Sequence, residues 1–208
     1  MGLPGRTTRI VISGYTAAGK TTHARLMARE LGWRYAGMSA VMHELLGVTG
    51  RAREWEAGFD ARRAADARID RLADERMTEF VAGLENVVVD AWLQPWLQPV
   101  GSVLNVWLES DRRSRAVKCA VSFLRNGERR SVAESGDLVS AKDGFSQEQF
   151  ARLYGIAFSY SPEVFDLRCD NSGYIEAPTL EASDRGIREF QEVLMRDVEG
   201  LLAEDPSS

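Results

Sequence analysis

The stretch that most limits how this chain can fold is GYTAAGKTT, residues 14–22. The apolar run RIVIS before it, residues 9–13, predicts a buried strand, and residues 19–31 after it predict a helix that ends at Gly32. A strand–loop–helix with the pattern G-x-x-x-x-G-K-[ST] is typical of phosphate binding. Its glycines let backbone N–H groups turn toward phosphate oxygens, and the helix N-terminus adds the positive end of its dipole.

The side chains of this loop predict how a bound nucleoside triphosphate is held. Lys20 is expected to reach the β- and γ-phosphates and to act in catalysis, and the Thr21 hydroxyl is expected to ligate Mg²⁺. The expected nucleotide-binding residues are Gly14, Thr16, Ala17, Ala18, Gly19, Lys20, Thr21 and Thr22.

Short apolar runs alternate with longer helical patterns along the rest of the chain. Further strands are predicted over 33–36, 86–90, 103–108 and 165–170, and long helices over 61–83 and 184–202. Strands that alternate with helices form parallel sheets with both faces covered. We therefore predict an α/β protein.

Residues 125–145 interrupt this alternation. They are polar, contain three glycines and have no apolar periodicity, so we predict a mobile lid or loop there. A helix is predicted to resume at SQEQFARLYG, where Ser146 and Gln149 have the spacing of a capping box.

The net charge and the number of cysteines argue against several kinds of protein. A net charge of −5 argues against a general nucleic-acid binder, and two distant cysteines do not make a disulfide framework or a metal site. We find neither a signal-peptide pattern nor an apolar run of about 18 residues. We expect a cytoplasmic protein, monomeric or homodimeric, with no nucleic-acid or membrane partner.

Asp90 ends the apolar run at 86–90 and is the strongest acidic candidate. The carboxyl end of a parallel strand lies at the crevice where such sheets bind ligands. Asp90 can hold Mg²⁺ through water or take a proton from an acceptor hydroxyl as a general base. The alternative is a strand-end aspartate that only caps a turn.

The order and spacing of these pieces resemble the cytidylate-kinase-like group of P-loop kinases, itself similar to other nucleoside monophosphate kinases. The resemblance extends from Arg9 to about Ser172 and is carried by the loop, by ARIDRLADERM, by VLNVWLESDRRSRAVK and by ARLYGI. It implies a single domain of three layers, residues 1–208, with a five-stranded parallel sheet flanked by helices. It further implies a helical acceptor-binding part over about 37–85, a mobile lid over about 112–150, and transfer of the ATP γ-phosphate to CMP or dCMP with Mg²⁺.

On the donor side the resemblance holds, although Ala17 stands where the group usually has a glycine. Arg115 matches an arginine at the start of the lid and is expected to act in catalysis, while Lys118 matches a second lid cation that binds the nucleotide. Such cations neutralise charge on the transferring phosphoryl group. The alternative for Arg115 is a solvated helix charge.

On the acceptor side the resemblance breaks. His43 and Trp92 stand where the group usually has two arginines that grip the monophosphate, and neither side chain reproduces a bidentate guanidinium. Asp70 and Arg76 keep the group's pattern and are expected to line the acceptor pocket. Trp92 and Trp96 predict aromatic walls for that pocket. Alternatively, both pack under a loop and His43 is a core histidine.

These observations leave three hypotheses about function. The first is an ATP-dependent kinase whose small-molecule acceptor carries a hydroxyl, with Asp90 as the base and His43 as the second choice. The second is a CMP or dCMP kinase in which other arginines, such as Arg51, Arg53, Arg62 or Arg63, bind the phosphate of the acceptor. The third is a nucleotide-dependent switch without phosphoryl transfer.

Overall fold

A computed structural model of the protein describes residues 9–47, 59–66, 68–97 and 103–203. Its elements in chain order are β1 (Arg9–Ser13), α1 (Lys20–Leu31), β2 (Arg34–Gly37), α2 (Met38–Leu45), α3 (Phe59–Ala65), α4 (Arg68–Ala82), β3 (Val87–Asp90), α5 (Gln94–Leu97), β4 (Val103–Glu109), α6 (Arg112–Arg125), α7 (Val132–Tyr154), β5 (Leu167–Asp170) and α8 (Leu180–Ala203).

The five strands form one sheet in the order β2-β3-β1-β4-β5, and every neighbouring pair is parallel. β1 is therefore the central strand. Its residue Ile12 pairs with Asp90 of β3 on one side and with Val106 of β4 on the other. This register brings the carboxyl ends of β1 and β3 to the same edge of the sheet, which places Asp90 beside the loop that follows β1.

Side-chain alternation along β1 divides the core into two layers. Ile10 and Ile12 pack into a cluster with residues of α1 and α8, whereas Val11 packs with residues of α2 and α4 on the opposite face. Successive residues of a strand point to opposite faces, so one apolar strand can serve both layers. The predicted α/β fold with a five-stranded parallel sheet flanked by helices is confirmed.

Two helix predictions need correction. The helix predicted over 61–83 is two helices, because the Asp66 carboxylate accepts a hydrogen bond from the backbone N–H of Arg68 (3.0 Å) and begins α4. The prediction of a loop over 125–145 is wrong from residue 132 onward, since α7 begins there.

In the part of the chain that the structure describes, no helix combines the length and the apolar character that a membrane span needs.

α7 begins at a capping box that lies 15 residues before the predicted one. The Ser131 hydroxyl accepts from the backbone N–H of Glu134, and the Glu134 carboxylate accepts from that of Ser131. Ser146 and Gln149, the predicted capping pair, are buried inside this helix. The buried positions do recur with helical spacing, but most of them are polar: Ser135, Val139, Asp143, Ser146, Gln149 and Phe150.

Candidate active site

The loop after β1 has a shape that depends on glycine at two positions. Gly14 has a φ of +148°, and a Cβ there would lie 2.5 Å from the carbonyl oxygen of Leu108. Gly19 has a φ of +97° and is the N-cap of α1. Having no side chain, Gly19 leaves the first N–H groups of α1 facing outward, as an anion site requires.

The Lys20 side chain contacts the backbone of this loop. Its Nζ donates to the carbonyl oxygens of Gly14 and Tyr15, both at 2.9 Å, and lies 5.9 Å from the centre of the Trp92 ring. These contacts place the ammonium group at the cavity that the loop lines. The contact of Lys20 with the β- and γ-phosphates stays a prediction.

A cavity of about 250 Å³ surrounds the loop. It is lined at its centre by Thr16, Ala17, Gly19, Lys20, Thr21 and Thr22. On the β3 side its wall consists of Met38, Ser39, Asp90, Ala91 and Trp92, and on the β4 side it includes Lys118, Cys119, Ser122, Arg125 and Ile175. Gly14 and the buried Ala18 shape the loop but do not line the cavity.

Asp90 lies at the boundary between the loop and the β3 wall. Its Oδ2 accepts a hydrogen bond from the Thr21 hydroxyl and lies 3.4 Å from the Tyr35 hydroxyl. The residue is 4% exposed. Carboxylate and hydroxyl oxygens are the protein ligands that Mg²⁺ takes, so this pair fits a magnesium ion held together with phosphates.

Behind the β3 wall lies a buried arginine that no sequence pattern singled out as a wall residue. Arg63 is 1% exposed and pairs with Asp70 through two hydrogen bonds, Nε to Oδ1 (2.7 Å) and Nη2 to Oδ2 (3.2 Å). Its guanidinium lies 5.2 Å from the Trp92 ring centre and 5.1 Å from that of Phe145. Trp92 thus separates this cation from the cavity.

Four residues expected on the acceptor side lie outside the lining of the cavity. Asp70 is buried in its pair with Arg63, and Arg76 is exposed on α4 and pairs with Glu44 (3.2 Å). Trp96 packs against Phe158 and Phe165 in an aromatic cluster, and His43 is half-buried on α2. Trp92 alone of the two tryptophans forms a cavity wall.

Lys118 reaches the cavity from α6. Its Nζ donates to the Ser110 hydroxyl (2.8 Å) and to the side-chain oxygen of Asn171, and burial lowers its pKa to about 8. The Asn171 amide in turn donates to the carbonyl oxygen of Ala18 in the loop (2.7 Å). Asn171 was missed by the sequence analysis, although it follows β5 directly, as crevice residues do in parallel sheets.

Arg115 is held beside the loop and does not line the cavity. Its guanidinium pairs with Asp143 of α7 and donates to the carbonyl oxygens of Thr16 (3.3 Å) and Ser110 (3.2 Å). The Asp143 carboxylate also accepts from the backbone N–H of Thr16 (2.9 Å). Nothing in the sequence pattern pointed to Asp143, which lies in the segment predicted as a loop.

His23 on α1 also lines the cavity, and it is an uncharged group. Its Nδ1 is 2.8 Å from the side-chain oxygen of Gln191, and its ring packs edge-on against Phe190. Burial lowers its pKa to about 4, so the imidazole stays neutral near pH 7. This agrees with a structural role for His23.

Comparison with known proteins adds three findings. The cytidylate kinase of Ignicoccus hospitalis is 32% identical over 163 residues, which cover 77% of this chain and 87% of that relative. The cytidylate kinase of Pyrococcus abyssi is 26% identical over 163 residues, covering 78% of this chain and 84% of the relative. The crystal structure of shikimate kinase from Bacteroides thetaiotaomicron superimposes with a TM-score of 0.57 at 20% identity, over 92% of this chain and 98% of that one. No family model matches the chain.

Proposed function

We propose that this chain, which belongs to the cytidylate kinase family of P-loop kinases, transfers the γ-phosphate of ATP to a hydroxyl group of a small molecule. The chain is a kinase; the nature of its acceptor is what we propose here. We place the acceptor-binding part within residues 37–85 and the donor-covering part within residues 112–150.

The wall on the β3 side of the cavity carries the proposal. Its residues Met38, Ser39, Ala91 and Trp92 are apolar or neutral, and Asp90 is the charged group among them. The cationic side chains among the described lining residues are Lys20, Lys118 and Arg125, on the loop helix and on the β4 side. A phosphomonoester acceptor needs a guanidinium or ammonium partner there, whereas a neutral alcohol does not.

Asp90 is the proposed general base. Its carboxylate would accept the proton of the acceptor hydroxyl while the hydroxyl oxygen forms a bond to the γ-phosphorus. The bond from that phosphorus to the bridging oxygen breaks, and ADP leaves with the electron pair. The Thr21 hydroxyl beside Asp90 supports this placement, because its hydrogen bond holds the carboxylate at the wall of the cavity.

Lys20 and the N–H groups at the start of α1 are proposed to hold the β- and γ-phosphates. Mg²⁺ would be held by Thr21, with Asp90 next to it, and it neutralises charge on the phosphate oxygens when bound. Trp92 offers a flat apolar surface on which the body of the acceptor can pack. Arg115 and Lys118 remain proposed cations on the ATP side of the site. Lys118 lines the cavity, whereas Arg115 lies outside it and contacts the carbonyl oxygen of Thr16.

A CMP or dCMP kinase is the second candidate, because two named relatives are cytidylate kinases and because Arg63 lies against Trp92. Arg63 would have to leave Asp70 to reach a phosphate. Arg62, the other candidate in the described part of the chain, is exposed and donates to the Leu46 carbonyl (3.4 Å). The remaining candidates, Arg51 and Arg53, lie outside the described residues.

The experiment measures ADP release from MgATP with two sets of acceptors, nucleoside monophosphates and hydroxylated metabolites. We expect hydroxylated compounds to stimulate release and CMP and dCMP to leave it at background. Stimulation by CMP or dCMP alone would establish the second candidate. No stimulation by any acceptor, with slow hydrolysis only, would favour the nucleotide-dependent switch.

Two variants test the assigned roles. Lys20→Ala should abolish turnover, and Asp90→Asn should lower it by roughly 10²- to 10⁴-fold, as expected for loss of a general base. Asp170→Asn is the matched control, because Asp170 also ends a parallel strand but is exposed. Full activity in Asp90→Asn would remove the base assignment.

A further inference from the structure

The phosphate loop contains one residue whose backbone conformation is unfavourable for its side chain. Ala17 has a φ of +61°, a region that residues with a Cβ rarely adopt. Glycine reaches this conformation without strain, but alanine reaches it only where surrounding contacts hold it. The loop of this chain must therefore be held from outside at this position.

The residue immediately before Ala17 is held on both of its polar backbone groups. The N–H of Thr16 donates to Asp143 Oδ1 at 2.9 Å, and its carbonyl oxygen accepts from Arg115 Nη1 at 3.3 Å. Asp143 and Arg115 also form an ion pair with each other, and Asp143 is 9% exposed. The two side chains come from α7 and α6, which pack together.

A third contact lies on Ala17 itself. Its methyl group packs against the cluster of buried Cys119, Phe123 and Val139, formed by the same two helices. A glycine would lose this contact. Helices α6 and α7 therefore contact the loop at three successive groups: the N–H of Thr16, the carbonyl of Thr16 and the methyl of Ala17.

We propose that Asp143 is a positioning residue of the phosphate loop, which acts with Arg115 to keep Thr16 and Ala17 in the conformation that binds the triphosphate. Asp143 does not line the cavity and acts on the nucleotide only through the loop. The expected effect of Asp143 on nucleotide binding rests on the proposed binding of MgATP. Its expected effect on the conformation of the loop does not rest on that binding and can be measured without a nucleotide.

The chemistry of the contact requires a carboxylate. One oxygen accepts from an N–H and the other pairs with a guanidinium, and both donors are satisfied by the same group. In Asp143→Asn the amide oxygen can still accept from Thr16, but the amide nitrogen then faces the donors of Arg115. In Asp143→Ala both contacts are lost, so the alanine variant should have the larger effect.

The test is a double-mutant cycle between position 143 and position 17. We measure the dissociation constant of MgATP for Asp143→Asn and Asp143→Ala, each in the natural chain and in an Ala17→Gly background. In the natural chain we expect Asp143→Ala to weaken binding by about tenfold or more, as for loss of charge-assisted hydrogen bonds. In the Ala17→Gly background the same change should weaken binding by about threefold or less, because glycine adopts this conformation without strain and depends less on the two contacts with Thr16.

Equal losses in both backgrounds, or no loss in either, would overturn the proposal. Asp137→Ala is the control, since Asp137 is an exposed carboxylate on the same helix. If Asp143→Ala does not fold, Asp143→Asn serves for the same comparison. These measurements use no acceptor, so the proposed hydroxyl acceptor can fail while this inference stands.

Hydrogen–deuterium exchange of the segment 15–18 in the nucleotide-free protein gives a second readout. Asp143→Ala should raise the exchange rate of this segment at least about tenfold, because it frees the Thr16 amide. Asp137→Ala should leave it unchanged. If the protein binds no MgATP at all, the proposed function fails, and the exchange measurement alone then tests this inference. Unchanged exchange in Asp143→Ala would refute it.

Discussion

Asp74 should make the protein less stable as the pH rises from about 4 to about 7. It is buried on α4, 8% exposed, and its Oδ2 accepts from the Tyr154 hydroxyl at the end of α7 (2.8 Å). Burial is the main cause that raises the pKa of its carboxyl from 3.8 to about 7; the hydrogen bond from Tyr154 opposes this rise, and the neighbouring charge of Asp70 adds to it. The folded protein therefore favours the protonated acid at this position.

The size of the effect follows from the two pKa values. In the unfolded chain the carboxyl ionises near 3.8, and in the folded protein near 7, so the folded state holds one more proton between these values. The free energy of unfolding should fall by about 1.4 kcal/mol for each pH unit in this window, and by about 4 kcal/mol in total. The stability contribution is complete below pH 3.8 and is lost as the pH passes 7.

Asp74→Asn should remove this dependence, because the amide is neutral at every pH and still accepts from Tyr154. We expect the difference in unfolding free energy, variant minus natural chain, to grow in favour of the variant by about 2 kcal/mol between pH 5 and pH 7. Urea unfolding followed by tryptophan fluorescence measures it. Glu79→Gln is the control, since Glu79 is an exposed carboxylate on the same helix and is not among the charges that raise the pKa of Asp74. Parallel pH curves for Asp74→Asn and the natural chain would refute the reasoning.

Three further perturbations have expected outcomes. Ser131→Ala should lower the unfolding free energy by about 1 kcal/mol through loss of the α7 cap, whereas Ser140→Ala inside that helix should be neutral; equal urea midpoints for the two would contradict this. Asp70→Asn should cost about 3 kcal/mol in the same assay, because it removes the nearer counter-charge of the buried Arg63 guanidinium and leaves the longer pair with Asp60 (3.4 Å); a loss under 1 kcal/mol would count against the pair of Arg63 with Asp70. Removing Mg²⁺ with EDTA should abolish ADP release, and full activity in EDTA would exclude the proposed metal site.

The sheet and the phosphate loop could be predicted from sequence because their determinants are local. The runs at β1, β3 and β4 are buried on both faces and are therefore mostly apolar, and Gly14 and Gly19 occupy positions where the backbone requires glycine. The five predicted strands all lie within two residues of the observed ones. A stretch of a few residues is enough to predict each of these elements.

α7 could not be predicted in the same way, because its buried face is built from polar groups that find partners in distant parts of the chain. Asp143 contacts the loop after β1, and Gln149 donates to the carbonyl oxygen of Arg63. Lys142 pairs with Asp60 at 2.8 Å. A helix whose burial depends on such pairs lacks the apolar period that sequence analysis detects, although its capping box at Ser131 was visible.

The acceptor side was only partly predictable for a similar reason. The replacement of expected arginines by His43 and Trp92 can be seen in sequence, but the position of Arg63 behind Trp92 depends on how α3 packs against α7. Trp92 and Trp96 are four residues apart and look equivalent in sequence. Only Trp92 lines the cavity, because Trp96 is held by Phe158 and Phe165.

The ³¹P NMR spectrum of the product tests the central claim most directly, because it reports which bond the transferred phosphoryl group forms. The protein is incubated with MgATP and a pool containing CMP, dCMP and hydroxylated metabolites. Transfer to a hydroxyl should give ADP and a new phosphomonoester resonance, and this resonance should be absent with Lys20→Ala. Diphosphate resonances of CDP or dCDP without a new phosphomonoester would contradict the account and establish a monophosphate acceptor.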